Sequence, residues 1–71
     1  MKIVTDIKEM KKYIGDWPTV QIYSEYEMGS NQIKLKYDNK QVIFQSNNIK
    51  DVAYIALECH AITNNQYRKL S

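Results

Sequence analysis

The alternation of apolar and polar residues between positions 32 and 45 constrains the fold of this chain more than any other feature. Strands with one buried face show this period of two. Two such runs follow each other, with apolar positions at Ile33, Leu35, Tyr37, Val42 and Phe44. Asp38 and Asn39 between them tolerate the backbone of a tight turn. We therefore expect strands at about 32–37 and 40–45, joined as an antiparallel hairpin.

The flanking segments predict one further strand and two helices. Apolar residues recur at helical spacing from Ile7, and either Thr5 or Asp6 can cap a helix over about 6–14. Rising β-branched and aromatic content predicts a strand at about 19–27, with Val20 on its buried parity. A broad apolar stripe after several capping residues predicts a second helix at about 49–63.

The resulting element order is helix, strand, strand, strand and helix, and it predicts one small α+β domain over residues 1–71. Because the strands are apolar on one parity only, we expect a three-stranded antiparallel meander with both helices packed on one face. The other face then meets solvent and carries polar residues together with Tyr23 and Ile43.

The size of the chain predicts marginal stability. A domain of 71 residues buries only about 60% of the surface that its unfolded chain exposes. We therefore expect a homodimer or another complex, formed either through an edge strand or through the face around Tyr23 and Ile43.

The cysteine count bears on the compartment. Cys59 is the only cysteine, so no disulfide can form within the chain, and we expect a reducing, cytoplasmic environment. No run approaches the roughly 18 apolar residues of a membrane span, so we expect no membrane partner.

The titratable residues do not form a recognisable catalytic or metal site. Cys59 and His60 are neighbours on the predicted helix, about 100° apart around its axis, and do not face each other. One Cys and one His cannot supply the four ligands of a structural zinc. Glu25 and Glu27 share a parity, but paired carboxylates on an exposed strand are usually only solvated. We expect no enzyme, no cofactor and no metal.

The aromatic content favours a protein-interaction module. Six Tyr and one Trp give rigid amphipathic contact area of the kind found at interfaces. The candidate binding residues are Tyr23, Ile43, Tyr54, Tyr67 and Trp17. A lone Trp in so small a chain is more often a lid over one end of the core, so Trp17 is a binding candidate only as the alternative to that role. We expect a small regulator or inhibitor that occludes a larger protein. The chain is rich in Lys, Ile, Asn and Tyr, whose codons are AT-rich, which favours a low-GC bacterium or its phage and hence a bacteriophage or mobile-element origin.

The alternative hypothesis is weak binding of RNA or DNA. Lys34 and Lys36 alternate on one predicted strand, and Tyr23 can serve as a stacking platform for a base. The formal charge of the chain is only +2, and Arg68 is its single Arg. Bidentate readout of guanine favours Arg over Lys, so specific base recognition is not expected.

The element order from Asp6 to Ala61 resembles that of the double-stranded RNA-binding domain. In that family, RNA is held by a lysine cluster at the start of the second helix and by a histidine in the loop between the first two strands. In this chain Lys50 stands alone beside Asp51, and 28–32 contains no His. The resemblance therefore implies the order of helices and strands, and it does not extend to the two RNA-contacting motifs.

Overall fold

The computed structural model describes residues 2–70 of the chain. They fold into a four-stranded mixed sheet and three helices joined by turns and loops. The strands are β1 (Lys2–Val4), β2 (Tyr23–Glu25), β3 (Gln32–Tyr37) and β4 (Lys40–Gln45). The helices are α1 (Ile7–Gly15), α2 (Ile49–Glu58) and α3 (Asn64–Arg68). The expected small α+β fold is confirmed, while Met1 and Ser71 lie outside the described residues.

The sheet corrects the predicted three-stranded meander. Its order is β1-β4-β3-β2, and β2, β3 and β4 form the expected antiparallel meander. β1 adds a fourth strand, parallel to β4, with Val4 paired to Phe44. Three residues are too few to show a period of two, so the sequence pattern did not reveal β1. Val4 is 1% exposed, and burial of its side chain anchors the strand.

The hairpin between β3 and β4 lies where the alternation placed it. Tyr37 pairs with Lys40, which leaves Asp38 and Asn39 as a two-residue turn. Asp38 has a φ of 57°, a left-handed conformation that Asp tolerates better than most residues.

The segment predicted as a strand at about 19–27 is mostly not extended. Thr19–Gln21 form a 3₁₀ turn, closed by the Gln21 N–H donating to the Pro18 carbonyl at 2.9 Å. The turn places Val20 in solvent with 94% of its surface exposed, whereas the alternation had assigned it to the core. Only Tyr23–Glu25 remain as β2.

The helix predicted at about 49–63 is divided into α2 and α3. α2 ends because His60 adopts a left-handed φ of 62°. The His60 N–H then donates to the Leu57 carbonyl at 3.1 Å, and the Ala61 N–H donates to the Ala56 carbonyl at 2.8 Å. This pair of bonds is the Schellman motif. α3 restarts at Thr63, whose hydroxyl accepts from the Gln66 N–H at 3.2 Å in a capping box.

The core lies between the sheet and the helices α1 and α2. The fully buried strand residues Ile33, Leu35, Val42 and Phe44 share one parity, so both helices cover the same side of the sheet. α1 contributes Met10, and α2 contributes the apolar stripe Val52, Ala53, Ile55 and Ala56. The opposite side of the sheet is left uncovered by every element in residues 2–70.

Candidate functional site

The uncovered side of the sheet brings together aromatic, charged and apolar side chains from all four strands. Tyr23 lies opposite Lys36, and Glu25 lies opposite Lys34. Lys34 in turn lies opposite Ile43 on β4. Directly opposed residues of a sheet share a face, with Cβ atoms about 4.5–5.5 Å apart. We call this surface the open face; its residues are Ile3, Tyr23, Glu25, Lys34, Lys36, Gln41 and Ile43.

One end of the open face is apolar. Ile3 of β1 lies opposite Ile43 of β4, so the two side chains are cross-strand neighbours. Ile3 is 60% exposed, while Ile43 is half-buried. Tyr23, on the opposite edge of the sheet, is 62% exposed. Two large side chains are thus held in solvent by strands whose other faces are fixed in the core.

The other end of the open face is a shallow hollow of about 490 Å3. Its lining residues are Gln21, Tyr23, Glu25, Lys34, Lys36, Asp38 and Gln41. Two lysine amines and two carboxylates give it no net formal charge. A surface of mixed charge suits a partner that also carries both signs, such as a folded protein, better than a uniformly anionic one.

Tyr54 and Tyr67 lie on the helical side, away from the open face. Their ring centroids are 6.4 Å apart at an angle of 66°, an edge-on contact that joins α3 to α2. The Lys11 amine lies 4.6 Å from the centroid of the Tyr54 ring. A hydrogen bond to Glu58 and the negative charge of that carboxylate raise the pKa of Tyr54. Both tyrosines are half-buried, and their ring contacts link α2 to α3 and to Lys11 of α1.

Trp17 is a core residue in the structure. It is 7% exposed and lies between two tyrosine rings, with centroids 5.9 Å away at Tyr13 and 5.6 Å away at Tyr37. Such clusters add to stability beyond the area that they bury. Trp17 therefore closes one end of the core and offers little surface to a partner.

Cys59 and His60 adjoin the end of α2 but differ in exposure. Cys59 is buried, and burial, with a smaller contribution from the Glu58 charge, raises its pKa from 9.0 to about 11. His60 is exposed. Within residues 2–70, no three His, Cys, Asp or Glu side chains cluster as metal ligands would. None of the helices described is long and apolar enough to cross a membrane.

Three exposed apolar residues were not among the candidates predicted from the sequence. Ile3 was missed because β1 was missed, although Ile3 and Val4, two adjacent β-branched residues, are a weak signal of a strand. Val20 was assigned to the core, and its exposure follows from the 3₁₀ turn after Pro18. Met28, 39% exposed, lies in the turn between β2 and β3. Val20 and Met28 flank the two ends of β2.

No protein-family model, curated protein or solved structure matches this chain. The element order that resembles the double-stranded RNA-binding domain runs from α1 to α2, with β1 before it and α3 after it. At the start of α2, the Asn48 side chain accepts the Lys50 N–H at 3.0 Å, and Asp51 is the acidic residue of the first turn. A shared topology does not establish a shared function.

Proposed function

We propose that this protein is a non-enzymatic interaction module that binds a larger protein through the open face and acts by occluding part of that partner's surface. The observation that carries the proposal is the uncovered side of the sheet, where Ile3 and Tyr23 are both about 60% exposed. Large apolar and aromatic side chains held rigidly in solvent are the residues from which interface hot spots are built.

The rigidity of the open face favours binding. Tyr23, Ile3 and Ile43 are carried by strands whose adjacent residues pack in the core, so little backbone entropy is lost when a partner orders them. Lys34, Lys36 and Glu25 lie between these side chains and can select a partner by complementary charge. Binding of a flat protein surface would remove Tyr23 from water while leaving the core unchanged.

Affinity capture with matched variants tests the proposal. The bait is the full chain, the extract comes from cells that carry the gene, and two tyrosine truncations are compared. Tyr23→Ala removes an aromatic ring from the open face, while Tyr67→Ala removes one from the helical side. We expect a stoichiometric protein that Tyr23→Ala loses and Tyr67→Ala retains, with both variants folded by circular dichroism. Loss with Tyr67→Ala alone would contradict the use of the open face, and recovery of no stoichiometric protein would contradict the module itself.

A second candidate function is weak binding of single-stranded nucleic acid in the hollow. The cross-strand pair of Tyr23 with Lys36, next to Lys34, supports it, because a base can stack on the ring while the amines contact phosphates. Stacking of one base contributes about 1–3 kcal/mol. The carboxylates of Glu25 and Asp38 in the same hollow oppose this use.

Fluorescence anisotropy with labelled oligothymidylate and oligouridylate distinguishes the two candidates. Phosphate contacts are strongest at low salt, so binding is expected at about 50 mM salt and should weaken steeply as salt is raised. Lys36→Ala should reduce the salt dependence by about one phosphate contact. No binding at low salt eliminates this candidate and leaves the protein-binding proposal unaffected.

A further inference from the structure

β2 is an edge strand whose two ends carry most of the exposed apolar surface. Among residues 2–70, the large apolar side chains that stand exposed are Ile3, Val20, Tyr23 and Met28. Three of these lie on β2 or beside it, with Val20 before the strand and Met28 after it. Edge strands present unpaired N–H and C=O groups that can pair with another strand, and natural edges are often protected by lysine. β2 carries no lysine.

Symmetry limits how β2 can pair with β2 of a second copy. Directly opposed residues in an antiparallel pair lie on the same face of the sheet. When two copies of one strand pair about a two-fold axis normal to the sheet, one residue must therefore lie opposite its own copy, with the axis between the two. An axis at Glu25 sets two like charges directly opposite each other, which is destabilising. An axis at Tyr23 pairs Glu25 with Gln21, which belongs to the 3₁₀ turn and is not extended. An axis at Ser24 pairs all three residues of each strand.

The Ser24 axis also makes the flanking side chains complementary. It places Tyr23 opposite Glu25 of the second copy and brings the end of β2 that carries Val20 alongside the end that carries Met28. Glu25 then lies between Lys34 of its own copy and Tyr23 of the other, and that Tyr23 is itself opposite Lys36. No two like charges are adjacent along this row.

We propose that β2 pairs antiparallel with β2 of a second copy, with the two-fold axis at Ser24, to form one continuous eight-stranded sheet. Both open faces lie on the same side of this sheet, so the dimer doubles the surface that each chain presents. Pairing removes the edge and buries Val20 and Met28, which adds apolar burial to a chain that is short of it. The inference does not depend on what the open face binds.

Disulfide trapping tests the register. In the proposed dimer the two Ser24 Cα atoms are about 4.5–5.5 Å apart, within the range of a disulfide. In the same dimer the two copies of residue 23 are diagonal neighbours, about 7–8 Å apart, which is too far for a disulfide. Cys59 is buried with a raised pKa and gives an unreactive background. We expect Ser24→Cys to form a covalent dimer under mild oxidation and Tyr23→Cys to remain monomeric. Equal cross-linking of the two variants would overturn the register.

Analytical ultracentrifugation tests the association itself with variants at matched exposed sites. The wild type should sediment at twice its mass of 8.4 kDa at high micromolar concentration. Val20→Lys alters a side chain that is 94% exposed and makes few native contacts, so we expect the variant to fold, and Ile3→Lys makes the same kind of change on the opposite edge. Pairing would bury the introduced ammonium group without a partner, which is unfavourable, so Val20→Lys should raise the dimer Kd by about tenfold or more while Ile3→Lys leaves it unchanged. A wild type that stays monomeric, or equal effects of the two variants, would overturn the proposal.

Discussion

Replacement of His60 by Gly should make the protein more stable. His60 occupies the position after the end of α2 with a φ of 62°. The two hydrogen bonds of the Schellman motif, from the N–H groups of His60 and Ala61, hold it there. In this conformation the Cβ of an L-residue approaches the following carbonyl oxygen, at a cost of roughly 1–2 kcal/mol. Glycine has no Cβ and adopts the same backbone without strain.

The expected gain is the difference between two opposing effects. Removal of the strain contributes about 1–2 kcal/mol to the free energy of unfolding. The greater freedom of glycine in the unfolded chain subtracts about 0.5–1 kcal/mol. The net stabilisation is about 0.5–1 kcal/mol, which for a domain of this size raises the Tm by about 2–8 °C.

Urea denaturation followed by far-ultraviolet circular dichroism, with thermal melts, measures this gain. His60→Ala is the matched control, because it removes the imidazole but keeps the Cβ and therefore the strain. Gly29→Ala is the reverse control, since Gly29 has a φ of 86° and nothing lies within 4 Å of an added Cβ. It should destabilise the fold through backbone strain alone. A His60→Gly protein no more stable than His60→Ala would refute the reasoning.

Three further predictions concern single groups. Thr63→Ala removes the hydroxyl that accepts from the Gln66 N–H, so it should lower the free energy of unfolding by about 1 kcal/mol and speed amide exchange in α3. Tyr26→Phe deletes a buried hydroxyl with no hydrogen-bond partner among the described residues; urea titration should show equal or higher stability, by up to about 1 kcal/mol, since an unsatisfied buried group is destabilising. The raised pKa of Cys59 implies that the folded state holds the thiol proton more tightly than the unfolded state. Stability should therefore fall as pH rises from about 9 to about 11, and a Cys59→Ala protein, measured by urea titration across this range, should show a smaller fall.

The predictable parts of the fold are those in which the apolar residues of a local sequence pattern are also the residues that the structure buries. The alternation in β3 and β4 is long enough to show its period, and the polar pair Asp38–Asn39 marks the turn between them. The side chain of Asp6, one of the two residues predicted as a cap for α1, accepts the Lys8 N–H at 3.2 Å. In each case the interactions that stabilise the element lie within a few residues of one another.

The parts that were missed depend on contacts distant in sequence or on a break in a pattern. β1 forms because Val4 reaches the core beside Phe44, forty positions along the chain. α2 ends at a residue that is not glycine, although left-handed helix ends favour glycine, and Gly15 instead lies within α1. An apolar stripe from 49 to 62 cannot reveal this break, because residues on both sides of His60 face the same core.

The structure shows which candidate binding residues are exposed and which are buried, and the amino-acid composition alone could not distinguish them. The alternation correctly assigned Tyr23, Lys34, Lys36 and Ile43 to one side of the sheet, since a strand fixes the face of each residue. Trp17 and Tyr54 had no such constraint. The sequence favoured a core position for Trp17 and an outward position for Tyr54 on the second helix, and in the structure the ring of Trp17 packs against Tyr37 and that of Tyr54 against Tyr67.

The open face and the core are two consequences of the same alternation, so the proposed binding function can be tested separately from stability in this protein. α1 and α2 both cover the side that carries Leu35 and Phe44, so substitutions there change packing. Ile3 and Tyr23 project to the other side, where their exposure means that truncation removes few native contacts. A substitution on the open face that abolishes binding while the urea midpoint stays unchanged therefore identifies a contact residue, whereas a coupled loss of both would show that the two sides are not independent.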